Sequence, residues 1–169
     1  TGTPSWEAIL DTLLLKKEQK FMGWIFGRGW DQNDWTVANF PDKTMLDSLF
    51  PDVPVFLMRI DGHAAIVNQK ALEISGVDEK TIVKGGEIEI KNGKATGLLF
   101  DNAVDLVKLK IPEPTRAAQI EALLSAQKNC FAVGLTTVAD AGVEKETILL
   151  VDSLQKLGSL KMRYYGMIS

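Results

Sequence analysis

The stretch that decides the fold is GGEIEIKNGKATGLLFD, residues 85–101. Residues 87–90 alternate polar and apolar side chains, which is typical of a strand with one buried face. Asn92 and Gly93 form the pair preferred in a two-residue hairpin turn, and residues 95–100 supply the returning strand. The segment therefore predicts an antiparallel β-hairpin, around which the neighbouring residues must supply further structure.

Upstream of the hairpin, two apolar runs predict further strands, at residues 22–26 and 55–60. Arg59 is the only charged side chain in the second run. Residues 64–75 place apolar side chains at helical spacing, and Gly76 follows them, which predicts a helix that ends at this glycine. Short helices together with a hairpin favour the α+β class for this part of the chain.

A break at Pro112 and Pro114 separates this part from a tail with a different pattern. The tail alternates two helical segments with two apolar strands, at residues 135–139 and 162–168. Short loops between alternating helices and strands predict parallel strands and an α/β unit. Two strands and two helices cannot close a barrel, so the tail is interpreted as part of a larger α/β domain.

Composition excludes several kinds of site. The 169 residues are 46% hydrophobic and 24% charged, as in a globular chain with a core. Cys130 and His63 are the only residues of their types, which excludes a disulfide framework, a cysteine-based zinc cluster and a site of several imidazoles in this chain. The net charge of -3 argues against a nucleic-acid-binding surface, and no apolar run is long enough to span a bilayer.

Two polar segments that follow predicted strands are candidates for ligand binding. In the first, Arg28, Trp30 and Asp31 lie among glycines and aromatic residues, which suits a loop that stacks on a ligand and anchors it. The alternative is a structural turn with packed tryptophans and an Arg–Asp ion pair, because aromatic clusters usually belong to a core.

The second segment is Asp61-Gly62-His63, which closes a strand at the position where α/β proteins place ligand groups. Asp61 is suited to orient His63 as a base, and Asn68 follows shortly after. The alternative is a helix cap by Asp61 and a packed histidine. Asp101 and Asp140 also follow apolar strands, and their expected role is that of helix caps or turn residues.

Four segments, in this order, resemble amidohydrolase family 3, the metal-dependent hydrolases of the N-substituted formamide deformylase type. They are WIFGRGWDQNDW (24–35), PVFLMRIDGHAAIVNQKAL (54–72), GGEI (85–88) with NGKATGLLFDNA (92–103), and GLTTVADAG (134–142). The resemblance implies a distorted (β/α)8 barrel in the intact enzyme and hydrolysis of amide-like C–N bonds by a metal-activated water. It makes residues 1–114 an insertion domain that caps the active site, and residues 115–169 a two-strand βα segment of the barrel. The expected fold class is therefore α+β, composed of these two parts.

The resemblance also bears on the site. In the family a His-x-His pair on the first barrel strand and groups on later strands hold the metal, and none of these can be placed here. The expected cofactor is a divalent metal, zinc, in the intact enzyme and none in this segment. The family commonly has a glutamate after the TG-x-L strand, where this chain has Asp101. The residues that the resemblance implies for substrate binding are Arg28, Trp30, Asp31, Asp61, His63, Asn68 and Asp101.

The expected partner is a small amide-type substrate, with neither nucleic acid nor membrane. Unpaired edges of the two barrel strands are expected to drive self-association of the isolated segment. Two alternatives remain open: a non-catalytic module that binds a small ligand or a sugar through its Trp-rich loop, and a catalytically dead relative.

Overall fold

A computed structural model describes residues 2–18 and 20–168. The chain divides between Pro112 and Glu113 into two compact units, two residues before the boundary expected after Pro114. Both units mix α-helices with β-strands. In the described part of the chain, no helix combines the length and the apolar character needed to cross a membrane.

The first unit is built on a five-stranded sheet. Its strands are β1 Ile25–Trp30, β2 Val55–Arg59, β3 Ala64–Val67, β4 Gly86–Lys91 and β5 Lys94–Asp101. Its helices are α1 Trp6–Leu15, α2 Thr44–Leu49, α3 Gln69–Ser75 and α4 Asn102–Lys108. A short 3-10 turn, Gln32–Asp34, follows β1.

The topology of this sheet decides which loops become neighbours. The strand order is β1-β2-β3-β5-β4, in which β1 and β2 are parallel and the other neighbouring pairs are antiparallel. The ends of β1, β2 and β5 and the start of β3 consequently lie along one edge of the sheet. Polar residues at these four points are brought together although they are distant in sequence.

The predicted hairpin is confirmed as β4 and β5, joined by Asn92 and Gly93 with φ of 52° and 72°. These positive φ values are those that an Asn-Gly turn accommodates. Leu98 and Leu99 of β5 are both buried, but in different clusters. Leu98 packs with residues of α1 and α2, and Leu99 packs with residues of α3 and α4. Helices therefore cover both faces of the sheet.

The helix predicted over residues 64–75 is wrong in its first part. Ala64–Val67 form β3, the central strand of the sheet, and the helix begins only after Asn68. All four side chains of β3 are buried because helices cover both faces of the sheet. A strand buried on both faces has a continuous apolar sequence, which periodicity cannot distinguish from a buried helix. Gly76 does end α3 in the left-handed conformation, as predicted.

The second unit is a helix–strand–helix–strand segment. Its elements are α5 Arg116–Ala132, β6 Thr137–Val143, α6 Lys145–Lys156 and β7 Arg163–Ile168. The strands β6 and β7 are parallel, which confirms the arrangement predicted from the alternation of elements. Buried leucine and valine side chains of α6 pack against α5 and Tyr164, whereas Tyr165 and Met167 of β7 are exposed.

Candidate functional site

Most of the predicted site residues meet at the edge of the sheet where β1, β2 and β5 end and β3 begins. Asp31 follows β1, Asp61 follows β2, His63 precedes β3, and Asp101 is the last residue of β5. With Arg59 at the end of β2, these residues form a group that we call the rim cluster.

Arg59 connects the rim cluster, although it is not among the site residues predicted from the sequence. Its Nη2 lies 2.7 Å from Oδ1 of Asp31, its Nε donates to Oε1 of Gln32 at 2.9 Å, and its Nη1 donates to the carboxylate of Asp61. Only 13% of the Arg59 side chain is exposed. A lone cation in an otherwise apolar, buried strand needs partners, and this signal in the sequence could have identified it.

Arg28 and Trp30 lie within β1 and not, as the sequence predicted, in a loop after it, and their segment combines features of both interpretations left open by the sequence. Asp31 forms its ion pair with Arg59 rather than with the neighbouring Arg28. Trp30 is buried, stacks on Trp35 and donates from Nε1 to the carbonyl of Leu57 at 2.8 Å, which is a packing role. Arg28 is exposed, and together with Trp30 it lines a cavity of about 120 Å³ beside α1.

Asp101, rather than Asp61, holds the imidazole of His63. The Nδ1 of His63 lies 2.9 Å from Oδ1 of Asp101, while Asp61 accepts the backbone N–H of His63 at 3.0 Å. Because a carboxylate only accepts hydrogen bonds, this contact assigns the proton of the neutral ring to Nδ1. Both side chains are open to solvent, with 76% of His63 and 56% of Asp101 exposed.

Asp101 occupies the N-cap position of α4, but its carboxylate does not cap the helix. The position before the helix expected from the sequence is thus confirmed, but the carboxylate binds His63 instead of capping the helix. The backbone of Asp101 has φ of 47° and ψ of -124°, a combination that residues with a Cβ rarely adopt. This position thus combines an unusual backbone with a side chain committed to the histidine.

Asn68 is not part of the rim cluster, because it lies at the opposite end of β3 and is fully buried. Its Oδ1 accepts from the backbone N–H groups of Val55 and Ala71, at 2.9 and 3.1 Å. Its Nδ2 donates to the carbonyls of Phe50 and Val53, both at 2.9 Å. These four bonds use the whole hydrogen-bonding capacity of the amide, so the side chain fastens β2 to the start of α3.

In the second unit, Asp140 lies within β6 rather than at a helix cap or turn. It accepts a hydrogen bond from the hydroxyl of Tyr164 at 2.8 Å. Burial raises the pKa of Tyr164 to about 12, and the hydrogen bond to Asp140 and the charge of Asp140 add to this effect. The pair joins the two parallel strands through their side chains.

The described residues do not fit a resident metal ion. No group of three or more His, Cys, Asp or Glu side chains among residues 2–18 and 20–168 is arranged to hold one. The carboxylates of the rim cluster are already engaged, since Asp31 and Asp61 pair with Arg59, and Asp101 contacts His63. No step of metal chemistry follows from these side chains.

Comparison with known proteins decides the family. Residues 2–155 match the model of the Amidohydrolase family. The chain belongs to this family. The resemblance read from the four sequence segments is thereby confirmed for this amidohydrolase chain.

Three curated relatives match this amidohydrolase chain. It is 42% identical to the putative amidohydrolase YtcJ of Bacillus subtilis (strain 168) over 115 residues, which are 67% of the chain and 22% of the relative. It is 30% identical to the N-substituted formamide deformylase of Arthrobacter pascens over 143 residues, 81% of the chain and 26% of the relative. It is 40% identical to protein LONG AFTER FAR-RED 3 of Arabidopsis thaliana over 121 residues, 70% of the chain and 21% of the relative. The chain thus spans about a quarter or less of these relatives.

Two solved structures share the fold. An uncharacterized metal-dependent hydrolase from Pyrococcus horikoshii OT3 aligns with a TM-score of 0.65 and 23% identity, covering 99% of this chain and 32% of that one. Its counterpart from Pyrococcus furiosus aligns with a TM-score of 0.60 and 24% identity, covering 94% and 32%. The mixed α/β arrangement of this amidohydrolase chain is therefore one found in metal-dependent hydrolases.

Proposed function

We propose that this chain is part of a metal-dependent amidohydrolase that hydrolyses amide-like C–N bonds with a metal-activated water. The family match over residues 2–155 carries the proposal. The similarity to an N-substituted formamide deformylase supports a C–N bond as the one that is cleaved. The divalent metal, expected to be zinc, is bound in this proposal by residues of the intact enzyme that lie outside these 169 residues.

In this proposal the two units have different roles. The first unit is an insertion that caps the active site, and the second unit contributes two neighbouring strands of a (β/α)8 barrel. The parallel pair β6–β7, with α6 between its strands, supports the second assignment, because such a barrel repeats this βαβ arrangement.

The rim cluster is the part of the first unit that we assign to the substrate pocket. Polar side chains at the ends of neighbouring strands are where α/β proteins bind ligands. Arg59 fixes Asp31 and Asp61 from the interior, while His63 and Asp101 remain open to solvent. In the cluster, the ion pairs of the largely buried Arg59 hold the neighbouring backbone in place, and the exposed His63 and Asp101 can reach a ligand, as a binding surface requires.

The test compares the full-length gene product with this 169-residue chain. Metal content is measured by mass spectrometry, and N-benzylformamide hydrolysis is followed with and without a chelator. We expect the full-length protein alone to hold the metal and to release benzylamine. Stoichiometric metal and turnover in the short chain would refute our placement of the ligands. A full-length protein that holds metal but does not cleave the amide probe would refute the proposed activity. A full-length protein that holds no metal and is inactive would favour the alternative of a catalytically dead relative.

One observation favours the second candidate, a module that binds a small ligand or a sugar. A cavity of about 350 Å³ is lined by aromatic side chains, among them Trp6, Trp35 and Phe40. Isothermal titration calorimetry of this chain with mono- and disaccharides tests it, with Trp6→Ala as the matched variant. Saturable heat that disappears in this variant would favour binding over hydrolysis.

A further inference from the structure

The pair formed by His63 and Asp101 requires an unusual local structure. Asp101 leaves α4 without a side-chain cap and adopts a positive φ of 47°. Residues with a Cβ keep such a backbone only where the surrounding structure enforces it, and these positions cluster at functional sites. An ordinary turn would leave the same carboxylate free to cap the helix.

The pair is not explained by stability. His63 and Asp101 are more than half exposed, and contacts between exposed charged side chains contribute little to folding. The backbone already joins the two residues, because the N–H of Asp101 donates to the carbonyl of His63 at 2.8 Å. The side-chain contact therefore orients the imidazole ring of His63, and it is not needed to connect the two strands.

The orientation leaves one ring nitrogen for a ligand. Nδ1 of His63 is engaged by Asp101 at 2.9 Å, and Asp61 fixes the backbone of the same residue. In the neutral ring with the proton on Nδ1, Nε2 is a hydrogen-bond acceptor. The matching group on a ligand is consequently a donor, such as the N–H of a secondary amide.

We propose that His63 binds the substrate through Nε2, which accepts a hydrogen bond from the amide N–H, and that Asp101 is the positioning residue for this imidazole. The inference rests on the proposed function, in which the rim cluster faces the substrate. The inference adds a substrate preference to that function, because only a secondary amide has the N–H that Nε2 binds, and an N-methylated amide lacks it.

The test uses the metal-loaded full-length protein and two probes, N-benzylformamide and N-benzyl-N-methylformamide. The readout is the ratio of their kcat/KM values, compared between variants. One hydrogen bond corresponds to roughly a 3- to 10-fold change. We expect the preference for the secondary amide to fall by this factor in His63→Ala and by less in Asp101→Asn. Asp105→Asn, an exposed aspartate on α4, should leave the ratio unchanged.

The outcomes separate the two proposals. An active wild type whose ratio is unchanged in His63→Ala would overturn the role of His63 alone, even if both rates fall. A wild type that cleaves neither probe would overturn the proposed function and this inference with it.

The ring orientation has its own test on this chain. Its single histidine makes a long-range ¹H–¹⁵N spectrum unambiguous. We expect the proton of the neutral ring on Nδ1 and a mixture of tautomers in Asp101→Asn. A proton on Nε2 in the wild type would overturn the proposal.

Discussion

The guanidinium of Arg59 lies 2.7 Å from the carboxylate of Asp31, across the parallel strands β1 and β2. Since parallel strands end at the same edge of a sheet, a cation at the end of β2 reaches the carboxylates that follow both strands. Arg59 uses this geometry to bind Asp31 and Asp61 at once. The two loops that present the rim cluster are thereby tied to the sheet.

Arg59→Ala should lower the free energy of unfolding by about 1–3 kcal/mol, because it leaves charged and polar partners without their hydrogen bonds. Urea denaturation followed by circular dichroism measures the change. Arg28→Ala is the matched control, since the Arg28 side chain is exposed, and it should change stability by less than about 0.5 kcal/mol. Equal losses in the two variants would contradict the role assigned to Arg59.

Asn68→Ala should lower the free energy of unfolding by about 2–4 kcal/mol. The variant removes the cap of α3 and leaves buried backbone groups of β2 and its preceding loop unpaired. The same denaturation experiment measures it, with the exposed Asn39→Ala as control. A loss no larger than that of Asn39→Ala would show that water replaces these bonds.

Asp101→Gly and Asp105→Gly should change stability in opposite directions. At Asp101 the glycine relieves backbone strain of about 1–3 kcal/mol and loses about 0.5–1 kcal/mol to chain entropy, so the net change is roughly 0–2.5 kcal/mol of stabilisation. Asp105 lies in the first turn of α4, where glycine has a lower helix propensity than aspartate by roughly 0.3 kcal/mol and the lost negative charge costs about 0.3–1 kcal/mol, so Asp105→Gly should destabilise by about 0.6–1.3 kcal/mol. Thermal denaturation of both variants shows whether each substitution raises or lowers the stability of the fold. Destabilisation by Asp101→Gly as large as that at Asp105 would mean that the backbone of Asp101 is not strained.

Tyr164 should ionise only near pH 12, because burial and the contact with Asp140 raise its pKa above the ordinary value of about 10. The raised pKa stabilises the fold fully below pH 10, and this contribution is lost as the pH rises through 12. Absorbance at 295 nm follows the titration in Tyr165→Phe, which leaves one tyrosine. Adding Asp140→Ala should lower the midpoint, since the acceptor and the negative charge are gone. An unchanged midpoint would attribute the whole effect to burial.

The isolated chain should self-associate through the exposed face and edges of β6 and β7. Tyr165 and Met167 are exposed on β7, and unpaired strand edges recruit other strands. Sedimentation velocity over a wide concentration range should show a rising average mass, and Tyr165→Lys should reduce it. Leu157→Lys, at the exposed end of α6, should not. A monomer at all concentrations would contradict the prediction.

Sequence patterns predict the secondary-structure elements that depend on residues close together in the chain. The Asn92-Gly93 hairpin and the alternating helices and strands of the second unit depend on turn chemistry and on short-range periodicity. For Ala64–Val67 the sequence pattern wrongly predicts a helix, because a strand covered on both faces has no alternation of polar and apolar residues.

The contacts at the candidate site join residues that are far apart in sequence. Proximity in sequence favours Asp61 as the partner of His63, whereas the imidazole contacts Asp101, 38 residues away on β5. That contact depends on the pairing of β3 with β5, which no local pattern reveals. Asn68 is among the residues expected at the substrate, but it lies at the end of β3 that faces away from the rim cluster.

The aromatic residues are divided unevenly between the two units. All four tryptophans, at positions 6, 24, 30 and 35, belong to the first unit, and both tyrosines, Tyr164 and Tyr165, belong to the second. Each unit therefore carries its own natural chromophore. Energy transfer to the indoles quenches the emission of the tyrosines, so the unlabelled chain is a donor–acceptor pair, and the loss of tyrosine emission reports the separation of the units in solution.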